Sequence, residues 1–562
     1  MELINQRTKG IMERCKAIAR GQGLQFDENT LEYIVTSRDM IKLSPKIGIP
    51  TLYDYWVDDI TVIQDTGIYK LQPHNPFETV VNTRPAISYY SDNNQDWINV
   101  MLFYHVIAHV DFFQNNDYFG MTKKDFKGKA LADKKIIEKL REEHGTKQVD
   151  YIIEFSRGLD NLVGYSTELE KINFPHSLKP HSKLDFYFDV FLPIHKKISG
   201  PEFQKEIEAF NRYREQCNGD EGKTEAVFLE AILQKYPEFL EISIKEKAKE
   251  EKNKEKLDIM QYIAEYSPFI NKKENIWMKS VIEIVRDTSL YFRPQIISNI
   301  LNESWACYWH QELFINDKRL KTHETAFSKL DSGTTTFPKV GLNPYAFVEL
   351  LRHIEEKAEK GHFTYEFMKI KNVEERKGYD KKTGRGREVL FFIRKHYNNF
   401  DFINDFLDQE FVDKHNLYAV GRRLNFSTNK IQFYIKSRDA LEYKQMIIDQ
   451  LYHPPEVKID FPKTSENTLY IAHKFEGKPL LRKFINMTMI GTEYLWGGNV
   501  KLETSEVDMD NFKDLIKKKK DEALAKTKQT IDLEEVLSEL KFNRVLYTME
   551  NKKLSREVMG VS

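Results

Sequence analysis

Two histidines, His105 and His109, lie four residues apart in the apolar run from Met101 to Phe113. The run predicts a buried helix, and at this spacing both imidazoles project from one face of a helix, about one turn apart. Zinc hydrolases bind a metal ion between two histidines at this spacing, and a glutamate directly after the first histidine acts as the general base. Here that position is Val106. The pair therefore predicts a metal site but omits the residue that activates water in those enzymes.

A second predicted helix, over residues 300–311, carries the carboxylate that a site with two histidines lacks. Glu303 and His310 are seven residues apart and therefore share one face of that helix. Because an open zinc site uses three protein ligands and a water, we predict that His105, His109 and Glu303 bind a divalent metal ion. Zinc is the expected metal, and iron or manganese also suits two histidines and one carboxylate. For the histidine pair alone, the competing interpretation is two core histidines held by backbone carbonyl groups.

Acid–base chemistry at such a site would need residues beyond Val106. Glu303, Tyr308 and His310 are the predicted catalytic residues, because they are the nearby carboxylate, phenol and imidazole on the second helix. Three roles are open for His310: a fourth ligand, a partner of a ligand, or a proton shuttle. Asp111 should point away from both histidines, because each residue turns a helix by about 100°. We therefore expect Asp111 to have a structural role, such as pairing with an arginine.

Composition excludes several classes of protein. The chain has 562 residues, 41% of them hydrophobic, and its 85 Lys and Arg residues balance 86 Asp and Glu residues. No overall charge favours nucleic acid, so no nucleic-acid partner is expected. Three cysteines are too few for a disulfide framework, the first residues lack the pattern of a signal peptide, and no uncharged stretch approaches the ~20 residues of a membrane span. We expect a cytoplasmic protein. Sequence motifs for binding nucleotide phosphates or dinucleotides, and for serine hydrolases, are absent.

The two metal-site helices belong to a long, mainly helical region. We predict a mainly α-helical domain over residues 1–342, in which these helices form a zincin-like pair. Residues 199–256 are expected to form a polar insertion, loop-like over 199–225 and a solvated Lys/Glu-rich helix over 244–256.

Two further regions follow. Alternating helix and strand patterns predict a smaller α+β domain at residues 343–505. Its strands are predicted near residues 417–423, 430–435, 457–461, 468–474 and 500–503. The strongly charged residues 506–562, which include four consecutive lysines, predict a charged helical tail.

An ordered series of short segments resembles the family of stage V sporulation protein R, the SpoVR family. The segments are Asp39-Met40, Gly48 to Pro50, Tyr55-Trp56, Asn82 to Pro85, Tyr89, His105-Val106, His109, Asp111 to Phe113, Asn115-Asn116, Leu159 to Leu162, Arg286, Tyr291-Phe292, Pro294-Gln295, Asn302-Glu303, Trp305-Ala306, Tyr308 to His310, Leu342 to Tyr345, Ile354 to Glu356, His473, Gly477, Leu495-Trp496 and Val500 to Thr504. The chain departs from the family pattern at Tyr55, which replaces a histidine, and at Ala108 and Ser304, which replace glycines. The three predicted ligands are retained.

The resemblance implies a link to sporulation and spore cortex formation, or to stress responses in bacteria that form no spores. There the family resembles a partner of a AAA+ serine protein kinase and of a von Willebrand-type protein. Together with the metal prediction, it leads us to expect a metal-dependent hydrolase that acts on an amide bond. The alternative is a non-catalytic regulatory scaffold with a structural metal site or a polar core, in which the α+β domain and the tail bind a kinase or another partner.

Overall fold

The computed structural model describes residues 2–36, 78–121, 126–163, 183–196, 198, 201–217, 221–242, 257–335, 343–451 and 454–561. Most of the described residues are helical, and smaller regions contain sheets. The chain divides into two compact units, residues 1–161 with 268–562 and residues 162–267. Both predicted domain boundaries, near residues 342 and 505, lie within the first unit and stay predictions. None of the helices in these ranges combines the length and the apolarity needed to cross a membrane.

The helices are numbered along the chain. They are α1 (Gln6–Gly21), α2 (Asp96–Asn115), α3 (Phe126–His144), α4 (Thr146–Arg157), α5 (Pro201–Gln216), α6 (Glu221–Lys235), α7 (Ile259–Tyr266), α8 (Met278–Asn316), α9 (Glu324–Thr335), α10 (Val348–Lys360), α11 (Tyr365–Lys369), α12 (Val373–Lys377), α13 (Gly386–His396), α14 (Asn399–Phe406), α15 (Gln409–Lys414), α16 (Ala440–Ile448), α17 (Arg482–Trp496), α18 (Met509–Ala525) and α19 (Leu533–Ser538). A π-helical segment, Phe186–His195, precedes α5.

The strands of the described residues form three sheets. They are β1 (Glu2–Leu3), β2 (Thr30–Val35), β3 (Glu78–Val81), β4 (Ala86–Ser91), β5 (Ala419–Asn425), β6 (Lys430–Ser437), β7 (Val457–Ile459), β8 (Thr468–His473), β9 (Asn499–Val507), β10 (Thr530–Asp532), β11 (Phe542–Glu550) and β12 (Lys553–Val561). Their orders are β1-β2-β4-β3, β10-β5-β6 and β12-β11-β9-β8-β7. The strands predicted in the α+β region are therefore present as β5 to β9.

The prediction of a charged helical tail over residues 506–562 is only partly correct. Helix α18 is present, but β11 and β12 follow it and extend the five-stranded sheet. Val545, Tyr547 and Met549 of β11 are buried at every second position, which is the period of a strand with one covered face. The abundance of charge in residues 506–541 obscured that alternation.

The prediction of a loop over residues 199–225 is wrong. The described residues there lie mostly in α5 and at the start of α6. Their aromatic residues build a small core, in which the rings of Phe210 and Tyr213 lie 5.2 and 5.7 Å from that of Phe228. Packing of these rings outweighs the local turn preference of the polar residues. The predicted Lys/Glu-rich helix at 244–256 lies outside the described residues.

One large core cluster surrounds the helices of interest. It joins α2 and the C-terminal half of α8 with residues of α1, α10, α13, α14, α15 and α16. Helix α2 is buried without interruption from Val100 to Phe112, as expected for a helix that is apolar on every side. Polar side chains on α2 and α8 are consequently held by a tightly packed apolar surrounding.

Candidate functional site

The two histidines of α2 lie side by side. His105 and His109 are both buried, and their Nε2 atoms are 3.0 Å apart. The ring planes are nearly perpendicular, at 89°, so the two rings meet edge to face. The predicted placement on one helical face is observed.

Helix α8 brings Glu303 to this pair. Its Oε2 atom is 3.8 Å from Nε2 of His105 and 3.6 Å from Nε2 of His109. About a quarter of the Glu303 side chain is exposed, 25%, whereas both histidine side chains are at most 7% exposed. The structure therefore brings the three predicted ligands together, and Glu303 is the most exposed side chain of the three.

Asn302 is a site residue that the sequence analysis missed. Its buried side chain places Oδ1 3.0 Å from Nδ1 of His109. On the other side, the His109 ring stacks on Phe113, with ring centroids 6.0 Å apart. These two contacts fix the orientation of His109. The position of Asn302 directly before Glu303 was the available signal, because the two neighbouring residues lie near different nitrogen atoms of His109.

His310 also lies beside His105, but it contacts Nδ1 of the His105 ring and not Nε2. Its Nδ1 atom is 2.9 Å from Nδ1 of His105, and its Nε2 atom is 2.9 Å from Oδ1 of Asp331 on α9. Cys307 is also close, since its Sγ and one ring nitrogen each of His105 and His310 lie within 4.8 Å of one another. His310 therefore contacts a predicted ligand from behind and does not face Glu303 across the cluster.

Tyr308 lies on another face of α8, and its predicted catalytic role stays a prediction. Its hydroxyl donates a hydrogen bond of 2.6 Å to Oε2 of Glu355 on α10. The reason is helical geometry, because five residues after Glu303 the side chain has turned about 140° away from it. Arg352 and Arg387 lie over the Tyr308 ring on that face, at 5.7 and 5.1 Å from its centroid.

Asp111 anchors the far side of α2, as predicted. It is fully buried, and its carboxylate accepts hydrogen bonds from the Gln25 backbone N–H at 2.7 Å and from the Trp305 indole at 2.9 Å. The Arg394 guanidinium lies 3.4 Å away, so Asp111 has the predicted arginine partner. Through Trp305, this carboxylate connects α2 to α8 on the side opposite the histidines.

Burial shifts the charge states of the cluster toward neutrality. It lowers the pKa of His105 well below its usual range, and the neighbouring His109 and His310 lower that pKa further. Burial also raises the pKa of Glu303, although His109 opposes this effect. Both shifts express the cost of placing charge away from water. Two imidazoles and one carboxylate that converge in such surroundings could hold a divalent transition metal ion, which would offset that cost.

The comparisons with known proteins agree with the resemblance. The family model described as "SpoVR like protein" matches residues 4–453. This range contains both helices of the cluster and ends before His473 and the Val500 to Thr504 segment. The chain is also 21% identical over 406 residues to the "Uncharacterized protein YcgB" of Escherichia coli (strain K12), covering 69% of each chain. No solved structure matches this chain. Because the model spans most of the sequence, the chain belongs to the SpoVR-like family.

Proposed function

We propose that His105, His109 and Glu303 bind one divalent metal ion, zinc in the first instance, and that the metal-bound water hydrolyses an amide bond. Zinc-bound water loses a proton near neutral pH and then attacks carbonyl carbon atoms. With three protein ligands, the fourth position is left for this water. The exposed edge of Glu303 is the side from which water and substrate would enter.

The observation that carries the proposal is the triangle of donor atoms. Its edges are 3.0, 3.6 and 3.8 Å, so a point equidistant from the three atoms is about 2.0 Å from each. Zinc binds histidine nitrogen and carboxylate oxygen at about 2.0–2.2 Å. The spacing of the three donor atoms therefore suits a bound zinc ion.

The tautomer of His109 supports the same interpretation. With Oδ1 of Asn302 as the acceptor, Nδ1 of His109 carries the proton. The lone pair then resides on Nε2, which faces His105 and Glu303. A metal-ligating histidine in proteins almost always donates its other N–H in this way. His109 therefore has the hydrogen bonding of a ligand.

The reaction and substrate class follow from the position of the remaining groups. Tyr308 lies elsewhere, and His310 faces the rear of His105, so we assign proton transfer to the Glu303 carboxylate. Glu303 would then act both as ligand and as base. The family name associates the chain with sporulation, so we propose an amide bond in a peptide or cell-wall precursor as substrate, in spore cortex formation or a stress response.

Metal analysis of purified protein tests the binding step. We expect about one zinc per chain in the wild type and after reconstitution, and loss of that zinc in His109→Ala and Glu303→Gln. His396→Ala is the matched control, because His396 pairs with Asp117 at the surface at 2.6 Å. Absence of stoichiometric metal from reconstituted wild-type protein with a normal circular dichroism spectrum would end the metal proposal. Amine release from muropeptides by the zinc-loaded wild type, but not by Glu303→Gln, tests the hydrolase step separately.

A second function is favoured by one observation, the valine at the position of the usual general base. In this case the metal site is structural, and the chain is a regulatory scaffold that partners a serine protein kinase system. A pull-down of a AAA+ serine protein kinase by zinc-loaded and by metal-free chain tests it. Zinc-dependent recovery together with no amine release supports the scaffold. Equal recovery from both forms argues against a metal-dependent scaffold.

A further inference from the structure

An exposed row of apolar side chains lies on strand β6, at one edge of the sheet β10-β5-β6. Ile431, Phe433 and Ile435 are 55%, 59% and 52% exposed, although they alternate along one face of the strand. A large apolar residue exposed singly needs no explanation, whereas a contiguous apolar patch is typical of a binding surface. The row lies on neither of the two helices that carry the proposed metal ligands.

The other face of β6 is occupied by contacts within the fold. The Tyr434 ring packs on Gly421 of β5 and leaves no room for a Cβ there. The Arg423 guanidinium lies 3.7 Å from the centroid of the same ring, and the Tyr434 hydroxyl donates a hydrogen bond to Asp532 of β10. The fold therefore uses the face that carries Tyr434 and leaves the face that carries Phe433 exposed.

Strand β6 also presents a backbone edge. Among the strands of the described residues it pairs with β5 alone, so its outer N–H and C=O groups have no strand partner there. Such an edge pairs readily with another strand, and natural proteins usually cover or blunt it. An extended strand satisfies the backbone groups and also places alternate side chains against the apolar row. The geometry therefore favours a strand as the occupant.

The order of residues in β6 makes a second copy of this chain the best match. If two β6 strands pair antiparallel about Phe433, this residue lies opposite itself and Ile431 lies opposite Ile435 of the other copy. Every apolar side chain of the row then meets another one. Moving the axis to Gln432 or to Tyr434 places an isoleucine opposite Asn429 or Ser437 instead. The apolar pattern therefore selects the register centred on Phe433.

The charges near this axis allow the same register. On the face of Tyr434 it places Lys430 opposite Lys436 of the other copy, and two lysines alone would repel each other. Glu442 of α16 lies 3.0 Å from Lys436 and supplies an anion beside each of these two positions. Each end of the paired strands thus holds two cations and one carboxylate.

We propose that β6 is the contact surface of a homodimer, in which two copies of this chain pair their β6 strands antiparallel about Phe433. The arrangement has twofold symmetry, so the same strand is used on both copies and the contact closes on itself. It joins two three-stranded sheets into one of six strands and covers both apolar rows.

Sedimentation velocity of the full chain over a wide range of concentrations tests the dimer. We expect a species of about twice the 66.5 kDa chain mass. Phe433→Lys should raise the dissociation constant at least about tenfold, because it places a charge at the centre of the contact. Phe484→Lys is the matched control, since Phe484 of α17 is similarly exposed, at 55%, and should leave the dimer unchanged. A wild type that is monomeric throughout, or an undiminished dimer in Phe433→Lys, would overturn the proposal.

Disulfide crosslinking tests the register. The background is Cys217→Ser, because the other two cysteines are buried. With oxidised glutathione, Phe433→Cys should form a linked dimer, since opposing Cα atoms of paired strands are about 4.5–5.5 Å apart. Ile431→Cys alone should not, because its two copies would lie about 13 Å apart along the strands. Mixed with Ile435→Cys, it should form the linked dimer.

The crosslinks also decide the outcome if Phe433→Lys does not fold, as judged by circular dichroism. Equal crosslinking of Ile431→Cys with itself and with Ile435→Cys would overturn the register and with it the proposal. A monomeric wild type that binds phosphatidylglycerol vesicles, with that binding lost in Phe433→Lys, would identify the row as a lipid contact and reject the homodimer. The zinc measurements are a separate test, because the proposed ligands lie on α2 and α8.

Discussion

Asp111, on the face of α2 opposite the histidines, tests whether burial or attraction to Arg394 dominates the charge state of a buried carboxylate. Burial raises the pKa of its carboxyl group from 3.8 to about 6, even though Arg394 and two hydrogen-bond donors oppose the shift. At about 1.4 kcal/mol per unit, the ionised carboxylate costs the folded state about 3 kcal/mol relative to the unfolded state. We therefore expect Asp111→Asn, which removes the charge and keeps one acceptor, to be tolerated far better than Asp111→Ala.

The sign of the pH dependence follows from the raised pKa. The folded state binds the Asp111 proton more tightly than the unfolded state, so the cost is fully present above pH 6 and is relieved as the pH falls from about 6 toward 3.8. Between pH 7.5 and pH 5 this relief amounts to about 1.4 kcal/mol. The wild type should thus gain about that much stability relative to Asp111→Asn on acidification.

Urea unfolding followed by tryptophan fluorescence at pH 7.5 and pH 5 measures this difference. Asp111→Ala leaves the Gln25 N–H, the Trp305 indole and Arg394 without their acceptor, and should cost about 3–5 kcal/mol at both pH values. Glu388→Gln, in an exposed pair with Arg385, should change nothing measurable. If the wild type gains nothing over Asp111→Asn at pH 5, attraction to Arg394 outweighs burial and the reasoning is refuted.

Three further predictions test other parts of the structure. Tyr308→Phe should change zinc affinity less than about twofold, because the hydroxyl donates to Glu355 and not to a proposed ligand. A loss of affinity comparable to that in Glu303→Gln, measured by zinc competition titration, would show that Tyr308 acts at the site. Gly497→Ala should lower the melting temperature more than Gly477→Ala. Both glycines have a positive φ, +76° and +82°, but a Cβ at 497 would overlap Phe269, whereas one at 477 meets nothing within 4 Å. Equal melting temperatures would contradict this packing. Deletion of residues 542–562 should make the chain aggregate or become sensitive to proteolysis, because it uncovers the β9 edge that pairs with β11. A product that is monodisperse in size-exclusion chromatography and resists proteolysis would show that the sheet does not need β11.

The convergence of His105, His109 and Glu303 was predicted from the pattern of two separate helices. His105 and His109 are one turn apart on α2, and Glu303 lies on a second helix, α8. Periodicity gives the face of each helix but not the side of an imidazole that a distant residue reaches. His310 was therefore placed on the correct face, while its contact with the rear of His105 and its partner Asp331, 21 residues further along the chain, were not predictable.

The errors in the fold have a different cause. In β11 and in α5 the charged residues of the surrounding sequence masked apolar residues that pack on other elements of the fold. Val545 of β11 pairs with Thr504 of β9, and Phe210 of α5 packs on Phe228 of α6. Charge density predicts solvation only where no sheet or helix covers one side of the element. The alternation in β11 and the aromatic spacing in α5 were the signals that outweighed composition.

The valine at the position of the usual general base is explained by the packing of α2. Val106 is buried and lines a small cavity with Met12 of α1 and Ala86 of β4, on a face of α2 turned away from Glu303. A glutamate there would be enclosed by mainly apolar side chains and by the buried Lys16, whose ammonium already pairs with Glu32 at 3.3 Å. Since this face of α2 is covered, the groups that hold and orient the histidines come from α8, which supplies Glu303, Asn302 and His310. The chemistry of the cluster is therefore determined by two helices and not by the single-helix motif that its histidine spacing first suggests.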